Sequence, residues 1–177
     1  MDLHDAILTR RSIRGFTSDP VSSEVATKIL EAAIRAPSAG NCQPWEFIVV
    51  RDAAAKQALA TAAFGQDFIA EAPLVIVVCA NRAKSRGRYG DRGTELYCIQ
   101  DTAAATQNIL LTAHSLGLGA CWIGAFDERM VAEQMGTPSE VRPVAIIPIG
   151  KAVTNLATSK PNRMPLKDVV HYDSFNS

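Results

Sequence analysis

The sequence predicts a single domain in which helices alternate with short apolar strands. The chain has 177 residues, of which 47% are hydrophobic and 20% are charged, and this is typical of one globular domain with a substantial core. Three apolar runs, 47–50, 74–78 and 144–150, have the length of buried strands, and the clearest of them is 74–78. Between the strands, apolar side chains recur at helical spacing.

The net charge and the spacing of the cysteines argue against several classes of partner and site. The formal net charge is zero, so nothing general favours nucleic acid or an anionic membrane as partner. The N-terminus resembles no signal peptide, and the longest apolar run, 74–80, is far shorter than the ~20 residues that span a bilayer. We therefore expect a soluble, cytoplasmic protein. The four cysteines are widely spaced without a nearby histidine cluster, which argues against a metal site or a redox dithiol and places Cys79 and Cys121 in the core.

A basic segment follows the first predicted helix, which Asp2 caps. Residues 10–16 read RRSIRGF, so that three arginines surround Ser12. Such a segment is either a solvated charged face or an anion cradle. In the second case the planar guanidinium groups and the serine hydroxyl suit the oxygens of a phosphate.

The segment 36–45 connects a helix that Ser22 or Ser23 caps to the first strand. Pro37 and Gly40 end the helix, while Ser38, Asn41 and Gln43 add polar groups. It is either an ordinary connection or, because it exceeds the usual ~2–6 residues, a ligand-facing loop.

The middle of the chain is predicted as follows. Residues 53–64 form a helix, and 82–92 form a mobile basic loop that is either a solvated excursion or a lid for a phosphorylated or acidic ligand. Thr94 caps the longest helix, which extends to about Leu116 and serves the core, a subunit interface or both.

The last third begins with a short strand at 120–126. Its Gly124 and Ala125 form either a simple turn or a backbone that a flat ligand approaches closely. Asp127 caps a helix that ends at Gly136, and Pro148 indicates an edge or terminal position for the strand 144–150. The tail, 155–177, is irregular but keeps apolar residues, so we expect it to embrace a second subunit.

Four segments together resemble the FMN-dependent nitroreductase family. They are RRSIRGF, APSAGNCQPWEFIVV, GLGACWIGAFD and PNRMPLKDVV, in this order over nearly the whole chain. The resemblance implies an α+β fold with a mostly antiparallel central sheet flanked by helices. It also implies an intertwined homodimer with FMN at the subunit interface.

The resemblance also implies roles for individual residues. Arg10, Ser12 and Arg163 would bind the FMN phosphate, Arg11 would contact the ribityl chain, and Arg14 would lie beside flavin N1 and O2, where it stabilises the charge of the reduced ring. The partner subunit would contribute the loop residues Pro37, Ser38, Ala39 and Asn41. The segment Ile123, Gly124 and Ala125 would approach flavin N5.

Two positions depart from the family pattern. Phe68 stands where larger members place a lysine beside the flavin pyrimidine, which leaves Gln66 as the candidate for that edge. Pro161 stands where some members pair a lysine with the C-terminal arginine, and Lys160 is the candidate substitute.

The activity implied is ping-pong hydride transfer from NAD(P)H through FMN to a nitroaromatic, quinone or similar small acceptor, without a catalytic side chain. Reductive dehalogenation and oxidative flavin breakdown are alternatives on the same fold. A flavin-binding module without turnover is an alternative of another class. A flexible basic loop at 82–92 would favour NADPH over NADH.

Overall fold

A computed structural model describes residues 1–153 and 162–175. Its helices are α1 (Leu3–Thr9), α2 (Ser23–Ala33), α3 (Ala53–Ala62), α4 (Phe68–Glu71), α5 (Arg82–Arg92), α6 (Cys98–Ser115) and α7 (Glu128–Met135). Its strands are β1 (Trp45–Val50), β2 (Leu74–Asn81), β3 (Gly119–Ala120) and β4 (Val141–Gly150). A π-helical turn, Gly93–Tyr97, joins α5 to α6.

The four strands form one antiparallel sheet in the order β1-β2-β4-β3. Val77, at the middle of β2, lies opposite Ile48 of β1 and Ile146 of β4. The expected mixture of helices with a mostly antiparallel sheet is confirmed.

Both faces of the sheet are covered by helices, and β2 shows why. All its residues except Asn81 are buried, and alternate side chains point to opposite faces. Leu74, Ile76 and Val78 pack with α2 and α6, whereas Val75 and Val77 pack with α3, α4 and α7. A continuous apolar run is the pattern expected of a strand buried on both faces.

Local capping signals are confirmed at three helices. The carboxylates of Asp2 and Asp127 and the hydroxyl of Ser22 each accept a hydrogen bond from a backbone N–H of the first turn. Cys79 and Cys121 lie in the core as expected, and burial raises the pKa of the Cys79 thiol to about 12. Within the described residues, no helix is both long and apolar enough to cross a membrane.

The prediction of a mobile basic loop at 82–92 is wrong, because this segment forms α5 with a kink at Gly90. Three of its five cations form ion pairs: Arg82 with Glu95 (3.2 Å), Lys84 with Glu46 (2.8 Å) and Arg86 with Glu140 (3.1 Å). The other two donate hydrogen bonds, Arg88 to the carbonyl of Gly40 and Arg92 to the hydroxyl of Tyr97. The acidic partners all lie outside residues 82–92, so the composition of this segment alone suggested a solvated basic loop. A flexible cationic lid is not part of the fold.

Three smaller predictions are also wrong. Thr94 does not cap α6 but lies buried inside the π-helical turn, where its hydroxyl donates to the carbonyl of Asp91. Pro148 is not on an edge strand, because β4 pairs with both β2 and β3. The strand predicted at 120–126 is reduced to β3 and one isolated bridge between Ile123 and Ile146.

Candidate functional site

The RRSIRGF segment runs along the β3 edge of the sheet. Ser12 forms a parallel bridge with Ala120, and the N–H of Ile13 donates to the carbonyl of Ala120 (3.0 Å). Phe16 pairs with Ala152, just after β4. These backbone contacts fix where the intervening polar side chains lie.

Three arginines converge at this edge. Burial lowers the pKa of the Arg10 guanidinium, and the positive charges of Arg163 and Arg11 lower it further. Arg163 thus returns to the same site from the far end of the chain. None of these arginines forms an ion pair within the described residues, so their charges are available to an anion.

Cys121 marks the centre of the same region. Burial raises the pKa of its thiol, while the nearby Arg14, a hydrogen bond with Ser12 and the charge of Arg10 oppose this rise. The structure therefore brings together Arg10, Arg11, Ser12, Arg14 and Arg163. Their donor set fits the phosphate and the electron-rich pyrimidine edge of FMN.

His114 belongs to this cluster and was missed in the sequence. The Thr9 hydroxyl donates its proton to the carbonyl of Asp5 (2.6 Å), so its 2.8 Å contact with His114 must be a bond donated by Nε2–H. Burial and the charges of Arg10 and Arg11 lower the pKa of His114. A neutral imidazole thus ties α6 to the end of α1, directly before Arg10.

A second group lies around Gly124. Ile123 is buried and exchanges two 3.0 Å backbone hydrogen bonds with Ile146, which anchors the exposed residues that follow. A Cβ added to Gly124 would meet nothing within 4 Å, so the backbone there is open to a ligand. Close approach of a ligand to Gly124 stays a prediction, and the structure leaves enough space beside this residue for it.

Gln66 joins this second group. Its Nε2 donates to the carbonyls of Ala63 (3.0 Å) and Ala125 (3.3 Å), which leaves Oε1 as a further acceptor. Phe68, by contrast, packs against the core. Position 68 is therefore occupied by a core side chain, and Gln66 is the polar residue beside the Ala125 backbone. Pro161 and Lys160 lie outside the described residues.

The third group, the loop with Pro37, Ser38, Ala39 and Asn41, lies elsewhere. It precedes β1, which is at the opposite edge from β3, and three strand spacings amount to roughly 14 Å. Among the described residues, no hydrogen bond joins this loop to the other two groups. Instead it is held by Asp101 of α6, which sequence reasoning missed, and by Arg88 of α5, which the sequence assigned to a basic lid and not to this loop.

Replacing Gly119 with alanine tests how the arginine segment is seated. The new Cβ would lie 2.7–2.9 Å from three atoms of Ile13, including its branched Cβ, which has little freedom to move. We expect a loss of about 1–3 kcal/mol of stability in thermal unfolding, together with weaker anion binding. Gly87→Ala is the matched control, because its Cβ meets nothing within 4 Å. Equal melting temperatures for the two variants would contradict this packing.

Comparisons with known proteins identify relatives of this chain in one family. The chain matches the family model described as "Nitroreductase family" over residues 7–66 and 61–151. An Archaeoglobus fulgidus protein with the provisional name NADH dehydrogenase/NAD(P)H nitroreductase is 43% identical over an alignment 149 residues long, which covers 81% of this chain and 82% of that protein. FMN reductase (NADPH) of Bacillus subtilis is 29% identical over 97% of this chain and 74% of its own.

Among solved structures, NADPH:FMN oxidoreductase from Vibrio harveyi in complex with NAD+ is similar to this chain. Its TM-score is 0.88, with 28% sequence identity over 97% of this chain and 77% of that protein. The likeness thus extends over almost all of the described fold.

Proposed function

Because the chain belongs to the nitroreductase family, we propose that it is an FMN-dependent NAD(P)H oxidoreductase. It would reduce nitroaromatic, quinone or similar acceptors in a ping-pong sequence, in which the oxidised nucleotide leaves before the acceptor binds. The observation that carries this proposal is the proximity of Arg10, Arg11 and Arg163 at the β3 edge, where none of the three has an acidic partner among the described residues. The names of the Bacillus and Vibrio relatives support FMN and NADPH as reactants.

When bound, FMN supplies the hydride-accepting atom and therefore the redox chemistry. The chain supplies binding and charge. Arg10, Ser12, Arg11 and Arg163 would hold the phosphate and ribityl chain, and the guanidinium of Arg14 would offset negative charge on the pyrimidine edge. No side chain is proposed to act as an acid or a base.

The homodimer is part of the proposal. The loop with Pro37, Ser38, Ala39 and Asn41 would contact the flavin held at the β3 edge of the partner. This is supported by its attachment at the opposite edge of its own sheet. The tail would return Arg163 to its own site, and the exposed apolar side chains that follow Arg163 would cover the partner.

Exposed aromatic side chains support a flat, apolar acceptor. Trp122 is 40% exposed, two residues before Gly124, and Phe64 is 74% exposed, two residues before Gln66. Phe64 also has a φ of +60°, an unfavourable backbone conformation for a bulky residue. Planar nitroaromatics and quinones can stack on such rings.

Anaerobic reduction tests the proposal. Protein reconstituted with FMN and mixed with NADH or NADPH without oxygen should lose the visible absorption of the flavin, and a quinone or nitroaromatic should restore it. Free FMN with the same nucleotide is the control. If the bound flavin stays yellow, the chain is a flavin-binding module, and if no FMN binds, the cofactor assignment is wrong.

A further inference from the structure

Asp101 stands out among the buried polar groups because it holds the backbone of a distant loop. It lies on α6 and is only 7% exposed. Its Oδ1 accepts a hydrogen bond from the N–H of Ala39 (3.1 Å), whereas its Oδ2 is buried without a partner among the described residues. Burial raises the pKa of this carboxyl group.

The loop that Asp101 holds is conformationally strained. Gly40, Asn41 and Gln43 have φ values of +53°, +56° and +49°. Glycine and asparagine adopt this region readily, whereas Gln43 costs roughly 1–2 kcal/mol there. Such a conformation persists only where the surroundings enforce it.

Contacts within the loop close it on itself but do not fix its place. The carbonyl of Ser38 accepts from the N–H of Asn41 and its hydroxyl from that of Gln43, both at 3.0 Å. Attachment to the helices comes from Asp101 at Ala39 and from two residues of α5. The guanidinium of Arg88 donates to the carbonyl of Gly40 (3.2 Å), and the exposed Lys84 donates to the carbonyl of Gln43 (3.5 Å). Arg88 is exposed, so Asp101 is the buried attachment point.

The carboxylate is a costly acceptor for stability alone. A buried charge with one unpartnered oxygen loses hydration that a single hydrogen bond does not fully replace. In return, a charge-assisted hydrogen bond is shorter and stronger than a neutral one. It therefore holds the N–H of Ala39 in a narrower range of positions than a neutral side chain would.

We infer that Asp101 is a positioning residue for the cofactor. By fixing the N–H of Ala39, it holds Pro37, Ser38 and Asn41 in the conformation that contacts the flavin. This inference rests on the proposed function, which assigns the loop to the FMN site. Asp101 itself touches neither cofactor nor substrate and acts only through the loop.

Three variants separate positioning from a general structural role. Asp101→Leu removes the acceptor at similar volume, and Asp101→Asn keeps an oxygen that can accept. The matched control is Asn108→Leu, because Asn108 lies on the same helix and donates to the carbonyl of Ala32 (3.0 Å), outside the loop. The measurements are FMN dissociation constants from flavin fluorescence, melting temperatures of the FMN-free proteins, and kcat and KM with NADPH at saturating FMN.

We expect Asp101→Leu to weaken FMN binding about tenfold or more, with a lower kcat and a KM for NADPH within about twofold of the parent. Asp101→Asn should restore FMN binding to within about threefold. Asn108→Leu should melt at a lower temperature but bind FMN like the parent. If Asp101→Leu does not fold, Asp101→Ser takes its place, since its hydroxyl is too short to reach Ala39.

The outcomes distinguish this inference from the proposed function. A parent protein that does not bind FMN overturns the proposed function. A parent that binds FMN, with an Asp101→Leu variant that binds it equally well, overturns only the role of Asp101. So does an Asn108→Leu variant that loses FMN affinity to the same extent, because the effect would then follow from stability.

Discussion

Alanine at Arg10 or at Arg163 is expected to yield protein that purifies without its yellow colour. Each change removes a charged donor from the proposed phosphate site, and a hydrogen bond to a charged group contributes about 1.5–3 kcal/mol. The dissociation constant for FMN should therefore rise roughly 10- to 150-fold for each variant, as measured by titration calorimetry. Because both side chains share one anion, the double variant should lose less than the sum.

The same variants should also be compared with the parent in the melting temperature of the FMN-free protein. The positive charges of Arg163 and Arg11 lower the pKa of Arg10, so the three cations repel one another until an anion binds. Removing one of them should leave the FMN-free melting temperature unchanged or raised, while FMN should stabilise the variant less than the parent. Arg129→Ala is the control, since Arg129 pairs with Glu133 on the surface. Variants that retain FMN through dialysis as the parent does would refute the phosphate assignment.

Deleting residues 156–177 is expected to break the assembly and to remove the cofactor with it. In the described part of the tail, Met164 is 69%, Leu166 75%, Val169 52% and Phe175 80% exposed in the single chain. Such side chains are proposed to cover a second subunit, and truncation would leave the complementary apolar surface in water. Sedimentation should show monomers or aggregates, and loss of Arg163 should weaken FMN binding as well.

A second variant separates the two effects of the truncation. Serine at Leu166 and Val169 leaves Arg163 in place but makes the tail polar. It should weaken the dimer, with a concentration-dependent sedimentation profile, and lower FMN affinity only where subunits dissociate. A truncated chain that remains an FMN-loaded dimer would show that the tail is not a subunit clamp.

The elements that could be predicted from the sequence are those that local chemistry determines. Asp2, Ser22 and Asp127 cap helices because a cap needs only a side-chain oxygen and the next three residues. The strand at 74–78 was recognisable because burial on both faces leaves an unbroken apolar run. Identification of the arginine segment as a candidate site likewise needed only its composition and the family resemblance.

The errors arose where distant residues decide the outcome. The basic segment forms α5, and two of its cations pair with Glu46 and Glu140, which lie outside it in the sequence, so its own composition did not reveal these partners. Pro148 is tolerated inside the sheet because β3 is only two residues long and lies opposite Ile149 and Gly150, so no residue of β3 needs an N–H from Pro148. Asp101 could not be assigned to the loop, since 62 positions separate it from Ala39.

The π-helical turn at Gly93–Tyr97 has a consequence for how related chains diverge. A π turn accommodates one residue more than an α turn, and each residue rotates a helix by about 100°. The angular phase of α5 about the axis of α6 therefore depends on a single inserted residue. Losing that residue would turn Arg88 and Tyr89 away from Gly40. A deletion of one codon would therefore change which side chains of α5 lie beside the loop.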